Sequence, residues 1–500
     1  MAYVRTVRTK SGSVAVQIVW KSRQGGRDIE HLGSARTDAE VEVLKAVAAQ
    51  RIAAGQEELP LGVSVTQEPA ALPIVASRMG RLLDLIAHGY RQLGFDQAAG
   101  GDVVFEQLVT ARIIEPSSKQ DAARVLTEAG LRPLSYRTVK RRLPVYAQAE
   151  WRRRLSGACA TRADLSPSTL VLYDVTTLWF ETDTGDGFRE PGFSKERRLE
   201  PQITVGLLTD AGGAPLMMDA FEGNTAETKT MIPLIRDFVD AHGIVDVIVV
   251  ADAGMMSEAN LKDIEDAGWS FIIAGKLPEI PYQVKKWHTD HPDQPPIDQM
   301  ILSQTTFMGP RADQRQRRTH YQYRAERARR SLHGIDTQIR KAEQAIAGKA
   351  AVKRNRFVQL TGGTRSLNRD LETKVRALAG WKPYVTNLLD VDAAFVIAAY
   401  HQLWHVEHSF RMSKHDLKAR PIYHHKRESI DAHLAIVFTA LAISHWLETR
   451  TGWTIKHLVR ELRRYRQVTI RAGTHTLTAE DPIPDEIRQM LTKIRPEGAH

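Results

Sequence analysis

The chain has 500 residues, 42% hydrophobic and 26% charged, with 69 Lys and Arg against 59 Asp and Glu for a formal charge of +10. Those proportions exclude a disordered chain and leave a globular one of about two to four domains. The single cysteine, Cys159, excludes an internal disulfide framework and predicts a reducing, cytoplasmic setting.

The basic balance favours a polyanionic partner, although a solvated basic surface gives the same number. The N-terminus, Met-Ala-Tyr-Val-Arg-Thr-Val-Arg, lacks the apolar centre of a signal peptide. The longest apolar stretch, Leu434 to Leu447, contains His445. It falls short of the ~20 residues that span a bilayer, which predicts a buried helix and no membrane partner.

In chain order, residues 1–35 alternate in strand fashion. Val14, Val16 and Ile18 follow a Ser11-Gly12 turn, and a helix from about Asp38 to Ala54 completes a small α+β module over 1–75. Residues 76–164 read as helices. Ser118 to Ala129 forms one helix, Gly130 to Pro133 a turn and Ser135 to Leu143 a second helix with Ser135 as N-cap. Arg137, Lys140, Arg141 and Arg142 crowd the exposed side of the second helix, which suits the recognition helix of a helix-turn-helix. Basic surface helices are also common without DNA.

Residues 168–280 predict the order β-β-β-α-β-α-β: strands at about 169–176, 202–209 and 215–221, a helix over 228–241, a strand at 246–251, a helix over 257–267 and a strand at 270–275. That is a mixed sheet covered by helices. Prolines 281, 292, 295 and 296 open an interruption over 281–389. Within it, Arg311 to Glu343 holds ten Lys/Arg against four Asp/Glu and reads as mostly helical. Its excess of arginine points to phosphate contact, against the plainer reading of a helix with i,i+4 ion pairs. One long helix is predicted over 391–415 and another over about 430–448. The tail, 451–500, is basic with helical spacing between Lys456 and Arg471.

Three carboxylates stand out. Asp174 lies in Leu-Tyr-Asp-Val-Thr-Thr, Asp252 ends Val-Val-Ala-Asp, and Glu407 falls in the 391–415 helix. Taken singly, a strand-end aspartate is usually a turn or cap residue. Together, two strand carboxylates and one helix carboxylate make a hard, oxygen-only ligand set that suits Mg²⁺ or Mn²⁺ rather than zinc. Two such ions can activate a water or a 3′-hydroxyl and stabilise the leaving oxygen of a phosphodiester. His405 and His408 bracket Glu407 and hint at zinc, but the spacing is not His-Glu-x-x-His and no third imidazole or thiolate has fitting local spacing. Tyr400, Glu407 and Lys414 are spaced seven and seven, which would align them on one helix face with Trp404 and Arg411 nearby.

Here the chain resembles a known family. Tyr-x6-Glu-x6-Lys, preceded by Tyr-Asp-Val-Thr-Thr and Ala-Asp-Ala-Gly, is similar to the insertion-sequence DDE transposases that carry a Tyr-Arg-Glu-Lys signature. Phe221-Glu-Gly-Asn224, Phe410-Arg411-x-x-Lys414 and Arg420-Pro421-Ile422-Tyr423 fit the same group. The resemblance covers about 165–450. It implies a ribonuclease-H-like catalytic domain split as 165–280 and 390–450, with the basic 281–389 segment inserted before the glutamate; a β-rich insertion there is usual in the group. In that fold the first and fourth strands are neighbours, which would set Asp174 beside Asp252. The resemblance carries metal ligation onto Asp174, Asp252 and Glu407, and phosphate or DNA-end contact onto Tyr400 and Lys414. The signature arginine falls at Leu403, so Arg411, one turn beyond Glu407, is the expected substitute.

With that resemblance the chain is expected to be a transposase that binds the terminal inverted repeats of an insertion sequence and target DNA, and the family implies a homodimer on paired ends. Two Mg²⁺ or Mn²⁺ ions would serve its cleavage and strand transfer. A DNA-binding regulator derived from a transposase, and a nuclease of the same fold, are the alternatives.

Overall fold

The computed structural model describes residues 2–21, 26–54, 73–133, 135–163, 165, 169–182, 184–192, 199–255, 257–292, 294–349, 355–361, 364–420, 422, 424, 426–472 and 475–494. They divide into two compact units: residues 1–90, 113–139 and 447–500 form one, and residues 91–112 and 140–446 the other.

The second unit is built on an eight-stranded mixed sheet. Its strands are β1 (Thr169–Trp179), β2 (Gln202–Asp210), β3 (Pro215–Glu222), β4 (Val247–Ala251), β5 (Ser270–Ala274), β6 (Ile301–Met308), β7 (Arg315–Tyr323) and β8 (Trp381–Thr386). Their order across the sheet is β6-β7-β8-β5-β4-β1-β2-β3. The parallel pairs are β1 with β4 and β4 with β5, and all other neighbours run antiparallel. The centre is the run Val-Ile-Val-Val-Ala of β4, buried along its whole length, as a parallel strand covered on both faces must be. The expected neighbourhood of the first and fourth strands is therefore present.

Helices cover both faces. On one face lie α1 (Met231–His242), whose Ile235, Phe238 and Val239 form an apolar stripe, and α2 (Glu258–Asp266), capped by Ser257 accepting from the Asn260 amide. They share a core with Val171, Tyr173 and Val175 of β1, Val249 and Ala251 of β4, and Phe271 and Ile273 of β5. Side chains alternate along a strand, so Leu172, Asp174, Val250 and Ile272 face the other side. Two short helices pack there, α4 (Ala393–His401) and α5 (Leu403–Arg411); α3 (Ala325–Ile346) belongs to the connection before them. The apolar helix α6 (Arg427–Thr451) is long enough to cross a membrane by length and composition, and its most apolar window is 94% buried within the fold, as a core helix would be.

Gly223, in the Phe221-Glu-Gly-Asn224 motif, has a packing reason. A Cβ there would collide with the carbonyl oxygen of Gln202, because the loop after β3 lies directly on the start of β2.

Two helical expectations need correction. Arg315–Tyr323, read as part of a basic helix, is strand β7. It pairs with β8, which in turn pairs with β5, so this segment widens the sheet instead of merely interrupting it. Its arginines explain the misreading. Arg317 is 1% exposed and bridges Glu258 at 2.8 Å and Glu265 at 3.0 Å, while Arg315 reaches Asp266 at 2.5 Å and Asp313 at 3.2 Å. These charges tie β7 to α2 and its neighbouring turn and are not available for phosphate. The helical reading does hold over α3.

The first unit contains an antiparallel sheet of Ala2–Arg8, Val14–Lys21 and Arg27–Ala35, with the helix Asp38–Ala54 packed on it through Val16, Ile18, Ala35, Val41 and Ala48. The second correction falls in this unit. Gln467–Ala472 is not helical but a strand, pairing with His475–Glu480 and with Ile74–Arg78. Its Val-Thr-Ile core is β-branched, which stiffens the side chains against a helix. The preceding helix, Ile455–Leu462, was legible.

Candidate active site

The parallel register of β1 and β4 runs from Thr169–Val247 to Leu172–Val250. Two steps further along each chain stand Asp174 and Asp252, so the aspartates occupy matching positions along two hydrogen-bonded strands, Asp174 within β1 and Asp252 just past the end of β4. Asp174 is half-buried in β1, opposite Leu207 of β2, and Asp252 is exposed just past β4.

The predicted 391–415 helix is not continuous. It breaks at Gln402 into α4 and α5, then winds as a π-helix over Met412–Asp416. Regular 3.6-residue spacing therefore does not extend from Tyr400 to Lys414, and the single-face alignment inferred from it is lost. The break lets the chain cross the sheet: α4 packs on β4, β5 and β8, whereas α5 packs on β1 and β2. Ser409 anchors α5 by donating to the Gly213 carbonyl at 2.9 Å. Tyr400 is thus delivered to the Asp252 strand, and Glu407 rides on the helix that covers the Asp174 strand.

Tyr400 is 8% exposed, and its phenol donates to Asp252 Oδ1 at 3.1 Å. The same oxygen accepts the Ala253 amide at 2.8 Å. Burial, followed by the charge of Asp252, raises the Tyr400 phenol well above its ordinary range, so it remains a donor at any working pH. The negative charge of Glu407 pushes in the same direction, which places that carboxylate within electrostatic reach. Glu407 itself is exposed.

Among the described residues, no three of His, Cys, Asp and Glu close into a group that could hold an ion. The donor chemistry, three hard carboxylates carried on adjoining backbone elements, fits a hard divalent cation. The zinc pattern has no such support, since the His405 ring lies against Trp404 with centroids 3.7 Å apart.

One functional candidate escaped the sequence reading. Lys382 of β8 holds its ammonium 4.3 Å from the Tyr400 ring centroid and 5.5 Å from that of Tyr384. Burial lowers its pKa, the nearby Arg327 lowers it further, and Asp252 opposes both. The available signal was Trp-Lys-Pro-Tyr-Val-Thr, an aromatic and β-branched alternation typical of a strand.

The predicted DNA-contact residues are dispersed. Arg411 is exposed on α5 and Lys414 half-buried in the π-turn. Arg137, Lys140 and Arg141 are exposed on the helix Tyr136–Tyr146, whose Ser135 hydroxyl accepts from the Thr138 amide at 3.3 Å as an N-cap should. Arg142 is committed elsewhere. Its Nε donates to Asp102 Oδ2 at 2.9 Å, and Tyr146 donates to the other oxygen of that buried carboxylate at 3.0 Å. Pro421 and Tyr423, part of a motif that carried the resemblance, lie outside the described residues.

Comparison with protein families finds one model, described as a transposase DDE domain, that matches residues 165–443. Comparison with curated proteins finds no match. Among solved structures, the chain is similar to the piggyBac transposase in a synaptic complex with hairpin DNA, determined by cryo-electron microscopy. The two share 10% identity with a TM-score of 0.39, over 77% of this chain and 79% of that one.

Proposed function

We propose that this chain, which belongs to the transposase DDE domain family, is an insertion-sequence transposase with a ribonuclease-H-like core, acting by metal-dependent cleavage and strand transfer. The observation that carries this reading is the β1–β4 register, which brings Asp174 abreast of Asp252 while α5 sets Glu407 over β1. The strand sequence β3-β2-β1-β4-β5, with β2 reversed, supports the assignment of the core. The insertion then adds β8, β7 and β6 beyond β5.

Asp174, Asp252 and Glu407 would hold two Mg²⁺ or Mn²⁺ ions. Bound there, such ions supply an activated water or 3′-hydroxyl and offset charge on the leaving oxygen. The chain's own residues position the rest. Tyr400 fixes one oxygen of Asp252 through its hydrogen bond. Arg411 and Lys414 face the backbone of a DNA end, and the exposed Arg137, Lys140 and Arg141 approach the terminal inverted repeats. A homodimer on paired ends would present two such sites to target DNA.

The test uses the full chain and a duplex carrying the terminal inverted repeat. Cleavage should appear with Mg²⁺ or Mn²⁺ and be absent with Ca²⁺ or a chelator. Equal cleavage with a chelator present would overturn the metal assignment.

Tyr400→Phe gives a finer test. It keeps the ring and its packing and removes one hydrogen bond to a charged group, worth about 1.5–3 kcal/mol. The cleavage rate should fall roughly 10-fold or more, with end binding unchanged. A wild-type rate would show that Asp252 needs no such restraint.

A further inference from the structure

The widened sheet brings positive charge to the carboxylate end of the core. Lys382 lies on the face of β8 that carries Tyr384, and its ammonium lies over the rings of both Tyr384 and Tyr400. Tyr400 is the residue that holds Asp252. Arg327, from α3, is fixed nearby by donating to the carbonyls of Gln322 at 3.3 Å and Gly380 at 3.2 Å. Arg324 and Arg327 are close enough to act electrostatically on Tyr384 and His401. Lys382 is thus the cation within electrostatic reach of Asp252, and Arg324 and Arg327 extend the positive charge over Tyr384 and His401 beside it.

A half-buried ammonium gives up hydration, and a cation–π contact returns only ~0.5–2 kcal/mol. The aromatic rings give Lys382 a defined position without neutralising it. What complements such a group beside a carboxylate end is an anion held at the same place. A DNA strand presents one there as its backbone phosphate.

We propose that Lys382 is a phosphate-binding residue of the site, contacting the DNA backbone next to Asp252, with Arg324 and Arg327 supplying the positive field around it. The inference rests on the transposase reading above, and it gives the β8 extension a role in gripping substrate. The plainer alternative is that Lys382 only offsets the charge of Asp252 inside the protein.

Salt dependence separates the two. Binding of the full chain to an inverted-repeat duplex is measured across a salt series in Ca²⁺, so that no strand is cut. Lys382→Met keeps an apolar stem over Tyr400 and removes the charge. Loss of one phosphate contact should make the slope of log affinity against log salt shallower by about 0.9, and Lys382→Arg should restore it. In Mg²⁺ the same Lys382→Met should cleave roughly 10-fold more slowly. If it melts early, Lys382→Gln carries the same comparison.

An unchanged salt slope in the neutral variant overturns the proposal, whatever happens to the rate. A wild-type chain that shows the slope difference from Lys382→Met but never cuts DNA with Mg²⁺ or Mn²⁺ sinks the transposase reading and leaves the phosphate contact standing. A wild-type chain that binds no duplex overturns both.

Discussion

Asp174→Asn, Asp252→Asn and Glu407→Gln should each lower DNA cleavage by at least ~10³-fold, equivalent to about 4 kcal/mol of transition-state stabilisation. Each replacement keeps size and hydrogen-bonding capacity and removes one negative oxygen donor. Asp252 and Glu407 are exposed, so neither change should affect the melting temperature beyond the range of ordinary surface substitutions. End binding should persist, because phosphate contacts are made by cations and not by these acids. The decisive pattern is loss of chemistry with retention of binding in all three. A variant that cuts at the wild-type rate would remove its residue from the site, and a variant that also loses binding would point to misfolding.

Arg317→Ala should be the most destabilising single change in the sheet extension. The guanidinium is almost completely enclosed and serves Glu258 and Glu265, and the Glu265 side chain is 8% exposed. Removing the cation takes the closer partner from the buried Glu265 and leaves only Arg315 at 3.6 Å; breaking such a pair costs up to about 3–5 kcal/mol, and the contact between Arg317 and the Phe271 ring is lost with it. Denaturant unfolding followed by a core tryptophan such as Trp269 would measure it. Pairing Arg317→Met with Glu265→Leu should recover much of the loss, since an apolar replacement of both partners avoids the stranded charge. A loss below ~1 kcal/mol for Arg317→Ala would mean that Arg315 or solvent compensates Glu265 in its absence.

The core sheet was legible because each of its elements obeys one local rule. The strands at 169–179, 202–210, 215–222, 247–251 and 270–274 are largely apolar runs bounded by turns, and the resemblance to a fold in which the first and fourth strands are neighbours set Asp174 beside Asp252. What could not be read were features set by partners distant in sequence. Arg315–Tyr323 is rich in charge, and only the acids of α2 and the adjoining turn make a buried strand of it. The break at Gln402 leaves no composition signal: no proline or glycine marks it, and its cause is the need to pack on different strands before and after. The hydrogen bond from the Tyr400 phenol to Asp252 likewise has no local signal, since its partner lies 148 residues away in the chain. Lys382 was hidden inside a segment judged by its net charge rather than by its alternation.

The strand order also sets a timetable for the chain as it is made. β5 is complete at Ala274, but the strand that closes its free side, β8, ends at Thr386, about a hundred residues later. At ~5–20 residues per second the apolar Phe271-Ile272-Ile273 ladder waits about 5–20 s on the ribosome with one row of amides and carbonyls unsatisfied. When β8 arrives, side chains finish the seam: Thr386 donates to the Phe271 carbonyl at 2.6 Å, and Asn387 accepts from the Phe271 amide at 2.9 Å and donates to the Trp269 carbonyl at 3.0 Å. Lys382 arrives with the strand that ends that wait, and Tyr400 and Glu407 follow it in synthesis. A nascent chain stalled within it would carry both aspartates on an open-edged sheet, inert toward DNA and ready to pair with another strand.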